Sequence, residues 1–228
     1  MANRTWLGAT IVRAVLVAVV AGCAAGASPT PPPPTARAAL PAGAYSTSVF
    51  APSVGFTLPE GWVIAADSTD YVALQPAPSE VTGIYVFRSP AAASQDIDCP
   101  IAAAAGVGTA AVDLVDWIRA RPGLVVTDPS AIAIGGLEGL RIDVRILEGW
   151  LASCPFANGL PTAPLFVSPT DPDFRWVIAG SERLRLHLLD VPSGGTVVVD
   201  IDAFDGSLMD SLLPVAAPIV TSMSFGAP

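Results

Sequence analysis

The 228-residue chain contains no lysine: its 11 basic residues are all arginine, set against 20 acids for a net charge of −9. Sequence-independent nucleic-acid binding needs basic side chains to neutralise phosphates, so this balance speaks against a nucleic-acid partner. Histidine occurs once, at His187, and cysteine three times, at Cys23, Cys99 and Cys154. A Ser-His-Asp hydrolase needs a histidine base, and the only candidate sits in a strand-like run. A thiol or imidazole zinc site would need more such ligands close by. Charged residues make up 14% of the chain and apolar residues 52%, the reverse of what disorder requires. No G-x-S-x-G elbow, P-loop or dinucleotide fingerprint is present; Gly106-Val107-Gly108 lacks the third glycine. Asp200 to Gly206 imitates a calcium loop, but Phe204 stands at the fifth position and no glutamate at the twelfth. The sequence thus presents no catalytic set, no metal site and no cofactor motif. A hydrolase built on paired carboxylates, since acids alone specify nothing, and a purely structural module are the alternatives left open.

What is present begins with an address. Arg4 and Arg13 precede an apolar run, Ala14 to Ala21, and no acid lies upstream of Cys23. These are the parts of an export signal. The run is too short for a spanning helix, which needs about 20 apolar residues. The ending Val20-Ala21-Gly22-Cys23 resembles the bacterial lipobox. That resemblance implies acylation of Cys23, cleavage just before it, and a lipid anchor on the outer face of the cytoplasmic membrane. A plain secretory signal is the competing reading. Removing residues 1–22 deletes two arginines and no acid, so the mature chain is more acidic still. It should be repelled by an anionic bilayer, leaving the N-terminal lipid as its one membrane contact. Residues 23–45 follow as a linker containing Ser28-Pro29-Thr30-Pro31-Pro32-Pro33-Pro34-Thr35. Proline fixes φ and lacks an N–H, so this run reads as an extended polyproline spacer.

Residues 46–228 read as a single domain of ordinary size. Cys99 and Cys154 each precede a proline and so read as loop positions. In an oxidising compartment they are expected to form a disulfide, for which loop-closure entropy gives about 4 kcal/mol. Strands are expected on either side of Pro59-Glu60-Gly61, at Val72 to Leu74, Gly83 to Arg88, Leu124 to Thr127, Ala131 to Ile134, Leu137 to Leu147, Phe174 to Ala179, Arg183 to Val191 and Thr196 to Ala203. Ala110 to Arg121 reads as a helix with Val112, Val115, Trp117 and Ile118 on its apolar stripe, acids first and arginines last. Ser207 to Ser222 reads as a second helix, with Ser207 and Asp210 as its capping pair and a kink at Pro214. Most connections are hairpin-sized, so the fold class is α+β: a mostly antiparallel sheet packed with two main helices.

The hairpin around Pro192-Ser193-Gly194-Gly195 carries the candidate site. A turn centred between Ser193 and Gly194 sets His187 against Asp200 and Arg185 against Asp202. One sheet face would then carry alternating charge and the other would be dry. Arg141, Asp143 and Arg145 repeat the alternation on the long strand. Arg141, Arg145, Arg183, Arg185 and His187, with Trp150 at a strand end, form a possible face for an anionic small molecule or an envelope protein. The bland alternative is a solvated face in which nearby aspartates satisfy the arginines. Trp62, Trp117 and Trp176 read as core.

Three segments are similar to the PsbP-like fold found in bacterial lipoproteins: Gly55-Phe56-Thr57-Leu58-Pro59-Glu60-Gly61-Trp62, Ile134-Gly135-Gly136-Leu137-Glu138-Gly139-Leu140-Arg141, and Ala217 through Phe225. The resemblance implies an antiparallel sheet sandwiched by helices and a non-catalytic binding or assembly role. Photosystem docking is not implied, since the plant members rely on basic surface residues. The lipobox reading predicts that a metabolically supplied fatty acid labels the wild-type protein and not Cys23→Ala; label retained by the variant would contradict it.

Overall fold

In the computed structural model, residues 38–79 and 81–226 are described, and all of them belong to one compact unit. The export signal, Cys23 and the proline run lie outside the described residues. In chain order the strands are β1 (Gly43–Ser46), β2 (Val54–Leu58), β3 (Trp62–Asp67), β4 (Tyr71–Pro76), β5 (Gly83–Arg88) and β6 (Ala91–Ala92), followed by helix α1 (Ala111–Arg119). Then come β7 (Leu124–Val126), β8 (Ser130–Ile134), β9 (Leu137–Ile146), β10 (Thr162–Val167), β11 (Arg175–Ala179), β12 (Arg183–Asp190) and β13 (Thr196–Ala203). Helix α2 (Met209–Thr221) and the short β14 (Ser224–Phe225) close the fold. The architecture is α+β, mostly antiparallel strands with two helices.

The main sheet has eight strands in the order β3-β4-β5-β13-β12-β9-β7, with β8 also paired to β9. On one face lie α2 and a small sheet, β1-β2-β14, packed through Phe56, Leu58, Leu212, Ala216 and Ile219 against Val86, Val199 and Ile201. On the other lie α1 and a second small sheet, β11-β10-β6, packed through Leu114, Ile118, Phe166 and Ile178 against Ile142, Leu186 and Val198. Residues directly opposite on paired antiparallel strands share a face, so these two lists fix which side of each strand meets which layer.

Several expectations are refined. The strands flanking Pro59 to Gly61 do not pair with each other; β2 joins the small sheet and β3 the edge of the main sheet. The folded part also reaches back past residue 46, since Gly43–Ser46 pairs with β2 and Leu40 bridges Trp62. The Ile134–Leu137 hairpin closes on Gly135 and Gly136, both at positive φ (57° and 85°), the backbone that a two-residue turn between twisted strands demands. In α1 the buried set is Ala111, Leu114, Val115, Trp117 and Ile118, and Val112 is exposed instead. Asp190 on β12 caps this helix from outside, accepting a hydrogen bond from Ala111 N–H at 2.8 Å. The expected Ser207–Asp210 capping pair does not form: α2 starts from Leu208 without a side-chain cap, and Asp205, accepting from Ser207 N–H at 3.0 Å, opens a single 3₁₀ turn, Gly206–Leu208, ahead of it. Pro214 does not split α2, which is one helix from Met209 to Thr221 with Met209, Leu212, Ala216, Ile219 and Val220 buried; tertiary packing of that face outweighs the missing donor.

Cys99 and Cys154 are bonded, with sulfurs 2.13 Å and Cα atoms 5.6 Å apart. The link fixes the loop after β6 to the segment before β10, where Cys154 N–H donates to Thr162 Oγ1 at 2.7 Å. Replacing both cysteines by alanine should lower the unfolding free energy by about 2–4 kcal/mol, read as a fall in the urea midpoint. Two free thiols in the unreduced wild-type protein would contradict the bridge.

Candidate functional site

The hairpin register differs by one residue from the sequence expectation, and the difference relocates the acids. Asp190 pairs with Thr196, so Leu186 faces Asp200, Leu184 faces Asp202, His187 faces Val199 and Arg185 faces Ile201. The connection therefore holds five residues, Val191 to Gly195. Gly194 and Gly195 absorb the extra residue at positive φ (97° and 82°), with Val191 N–H donating to Gly195 O. The expected pairing supposed one solvated face. Every residue of β13 is buried, so its aspartates would be enclosed on either register.

The arginine face forms without those aspartates. Arg185 makes a two-pronged pair with Asp143, Nε to Oδ1 at 2.7 Å and Nη2 to Oδ2 at 2.8 Å. The hydrogen bond and charge hold the Asp143 carboxyl below its ordinary range and raise the guanidinium. Arg145 and Arg183 stand directly opposite each other across β9 and β12, contrary to the expectation that each arginine there has an aspartate. With Arg185 they line a recess of about 230 Å³ beside Met209 and Asp210 of α2. Arg141 faces His187 on the adjoining pair. His187 is not available to a ligand: it is 7% exposed and its Nδ1–H donates to the Val199 carbonyl at 3.0 Å. Burial, then Arg185 and Arg141, push its pKa down to about 4. Trp150 is remote from this group in role. Its Nε1–H donates to Thr162 O at 3.2 Å and its ring lies against Gly123, where a Cβ would meet Cε2 at 2.4 Å.

The larger opening is on the other side of the sheet, a groove of about 720 Å³. Its walls are aromatic. Tyr85 from β5 meets Trp176 from β11 with centroids 4.6 Å apart and planes tilted 52°, and Tyr71 from β4 meets Phe174 at 5.8 Å and 36°. Beneath Tyr85 and Trp176, Phe87 supports both rings. Gln75 Nε2 donates to the Tyr85 hydroxyl, which donates to Val81 O, at 2.9 and 3.0 Å. The floor is acidic: Glu182 in the β11–β12 turn and Asp202 on β13 both line the groove.

These acids are enclosed. Glu182 is 5% exposed, Asp202 2% and Asp200 fully buried. Trp176 Nε1–H donates to Asp200 Oδ2 at 3.0 Å, and Ala179 N–H donates to Glu182 Oε2 at 2.6 Å. The Glu182 and Asp202 carboxyls hydrogen-bond each other. Oδ1 of Asp200 and Oδ1 of Asp202 have no partner. Removal from water disfavours a carboxylate, and that is the leading cause of each shift. Burial raises Glu182 to about 7; burial, then the charges of Asp200 and Glu182, raise Asp202 to about 11; burial, then Glu182, raises Asp200 well above its usual range. At neutral pH the pair can therefore donate from Asp202 and accept on Glu182. Among the described residues, no group of three or more His, Cys, Asp or Glu side chains is placed to hold a metal ion.

The sequence pattern reads Trp176 as core, uses Asp200 and Asp202 only as counter-charges to the arginine face, and singles out none of Tyr71, Tyr85, Phe174 or Glu182. The available signal was Asp200 and Asp202 alternating inside Thr196 to Ala203, a strand otherwise almost wholly apolar, which reads as buried on both faces.

No protein-family model matches the chain, and no curated protein is similar to it in sequence. Among solved structures, the solution structure of cyanobacterial PsbP (CyanoP) from Synechocystis sp. PCC 6803 is 11% identical with a TM-score of 0.41, over 82% of this chain and 94% of that one. A crystal structure from Bacteroides thetaiotaomicron VPI-5482 is 8% identical with a TM-score of 0.36 over 76% of this chain. The chain spans 45% of that structure's length. Likenesses this distant say nothing of the site.

The buried acids set a pH dependence of known sign. Unfolded Asp and Glu ionise near pH 4, whereas the native Asp200 and Asp202 keep their protons past neutrality. The native state then binds more protons than the unfolded one, so stability falls as pH rises. His187 works the other way, losing stability as pH falls from about 6.5 toward 4, and is silent above neutrality. Between pH 7 and 9 the urea midpoint of the wild type should fall, by an amount on the order of 1 kcal/mol per pH unit for each proton retained. Asp202→Asn should flatten that slope and be the more stable protein at pH 9. A wild-type profile that is level from pH 7 to 9 would contradict the assignment.

Proposed function

We propose that the protein is an extracytoplasmic lipoprotein, tethered through Cys23, whose α+β domain binds a small molecule in the groove between Tyr71, Tyr85, Phe174 and Trp176. The observation that supports this reading most is the floor of that groove, where Asp202 is 98% enclosed yet leaves Oδ1 without a partner. A buried polar atom left unpaired costs about 1–3 kcal/mol, and a bound group that satisfied it would recover part of that. Concave aromatic walls with a few convergent polar groups are the common form of small-molecule sites. The lipobox-like ending at Cys23 and the proline run support a tethered domain held away from the bilayer. The PsbP-like resemblance of three segments fits a binding role without chemistry.

A second reading, a carboxylate-based envelope hydrolase, draws on one observation. Glu182 and Asp202 lie in a groove with proton affinities pushed apart, to about 7 and about 11, the division of labour that acid–base pairs use. Against it, the two carboxyls bond to each other. Glycosidase carboxyls instead stand about 5–9 Å apart across the scissile bond. Paired this way, they leave no room between them for a scissile bond. Binding is therefore the better-supported function.

The test is native mass spectrometry of the full-length protein taken from the envelope in which it is made. A co-purifying small molecule should be present in the wild type, absent from Trp176→Ala, and retained in the opposite-face control Arg145→Ala. A molecule kept by Trp176→Ala, or none in any of the three, would contradict the groove assignment.

A further inference from the structure

We propose that the groove selects an organic cation, an alkylammonium or quaternary ammonium group, held between the aromatic faces and above the carboxyls of Glu182 and Asp202. The inference rests on the binding reading above and specifies its ligand class.

Charge comes first. Among the described residues the ion pairs are Arg119–Asp128 and Arg185–Asp143, so none involves Glu182, Asp200 or Asp202. The rim adds Asp171 and Asp173. The basic residue of the rim, Arg175, is committed elsewhere: its Nη1 donates to the Cys99 carbonyl at 3.2 Å and its guanidinium lies 4.6 Å over the Phe156 ring. The Cys99–Cys154 bridge holds that carbonyl in place. The groove therefore gathers four acids against a single arginine, whose guanidinium is turned to Cys99 and Phe156.

The walls agree with that sign. An aromatic face is the negative end of the ring quadrupole and attracts a cation within about 6 Å of the centroid. Tyr71, Tyr85, Phe174 and Trp176, paired at 5.8 and 4.6 Å, line this one groove together. A primary ammonium would donate to the unpartnered Asp202 Oδ1, whereas a quaternary ammonium would rest on the rings and be drawn by Glu182 and the rim acids. An anion is opposed by Glu182 and by the rim acids Asp171 and Asp173. A bare metal ion is disfavoured because the acids do not form a ligand set.

The full-length protein in an uncharged detergent supplies the test, by calorimetric titration with choline, with butylamine, and with 3,3-dimethylbutan-1-ol, the neutral analogue of choline. At least one cation should bind at least 10-fold tighter than the neutral alcohol. Glu182→Gln should erase most of that preference while leaving the weak affinity for the alcohol in place, and Trp176→Ala should weaken all three. Equal binding of cation and alcohol by the wild type would overturn the cation assignment and leave the groove reading standing, as would a preference that survives in Glu182→Gln. Displacement of choline by calcium would also overturn it, in favour of a metal site. No binding of any probe would count against both.

Discussion

Strand β13 is covered on both faces, and the rest of the molecule is arranged around that constraint. It runs between β5 and β12 in the middle of the main sheet with none of its eight residues exposed. Val197, Val199, Ile201 and Ala203 fill the layer under α2. Val198 and the two aspartates point the other way. A strand with no wet face has nowhere to put a charged side chain, so Asp200 and Asp202 become neutral acids and collect the nearest polar groups, the Trp176 indole and the Glu182 carboxyl. The groove and its acidic floor are consequences of enclosing this strand.

The covering layers explain why the floor stays polar while the walls are rings. Strand β11 brings Trp176 across β5 and β13, and Tyr85 and Phe87 receive it. Buried carboxyls without a counter-ion cost stability, so the domain needs reserves elsewhere. Two apolar clusters, one on each side of the main sheet, supply them. The disulfide adds a constraint on the loop after β6, whose Cys99 carbonyl accepts from Arg175 of the groove's rim. Arg145 opposite Arg183, by contrast, stands at a wet edge where repulsion between like charges is screened.

Much of the architecture is legible in residue pattern. Alternation marks β5, β9, β12 and β13, the paired glycines mark the β8–β9 turn, and helical spacing marks α1 and α2. The Cys99 and Cys154 pairing follows from counting thiols outside the export signal. What eludes the pattern is the third dimension of β12 and β13. Opposite charges placed across a hairpin are an attractive register only if their face is wet, and whether it is wet depends on β10 and β11, layers that close over it from elsewhere in the chain. One residue of slack in Val191 to Gly195 then sets Leu184 and Leu186, rather than Arg185 and His187, against the two buried aspartates. Trp150 illustrates the same limit, since its place against Gly123 depends on the turn that joins α1 to β7.

The central claim is that Asp200 and Asp202 are enclosed beside Trp176 and hold protons at neutral pH. Carbon-13 NMR of the side-chain carboxyls, followed from pH 3 to 10 and assigned with Asp200→Asn and Asp202→Asn, measures this directly. Two aspartate signals should stay at their protonated shifts through pH 7 while the surface carboxyls complete their titration near pH 4. If every aspartate signal has moved to its ionised position by pH 6, the enclosed acidic floor, and the site built on it, does not exist.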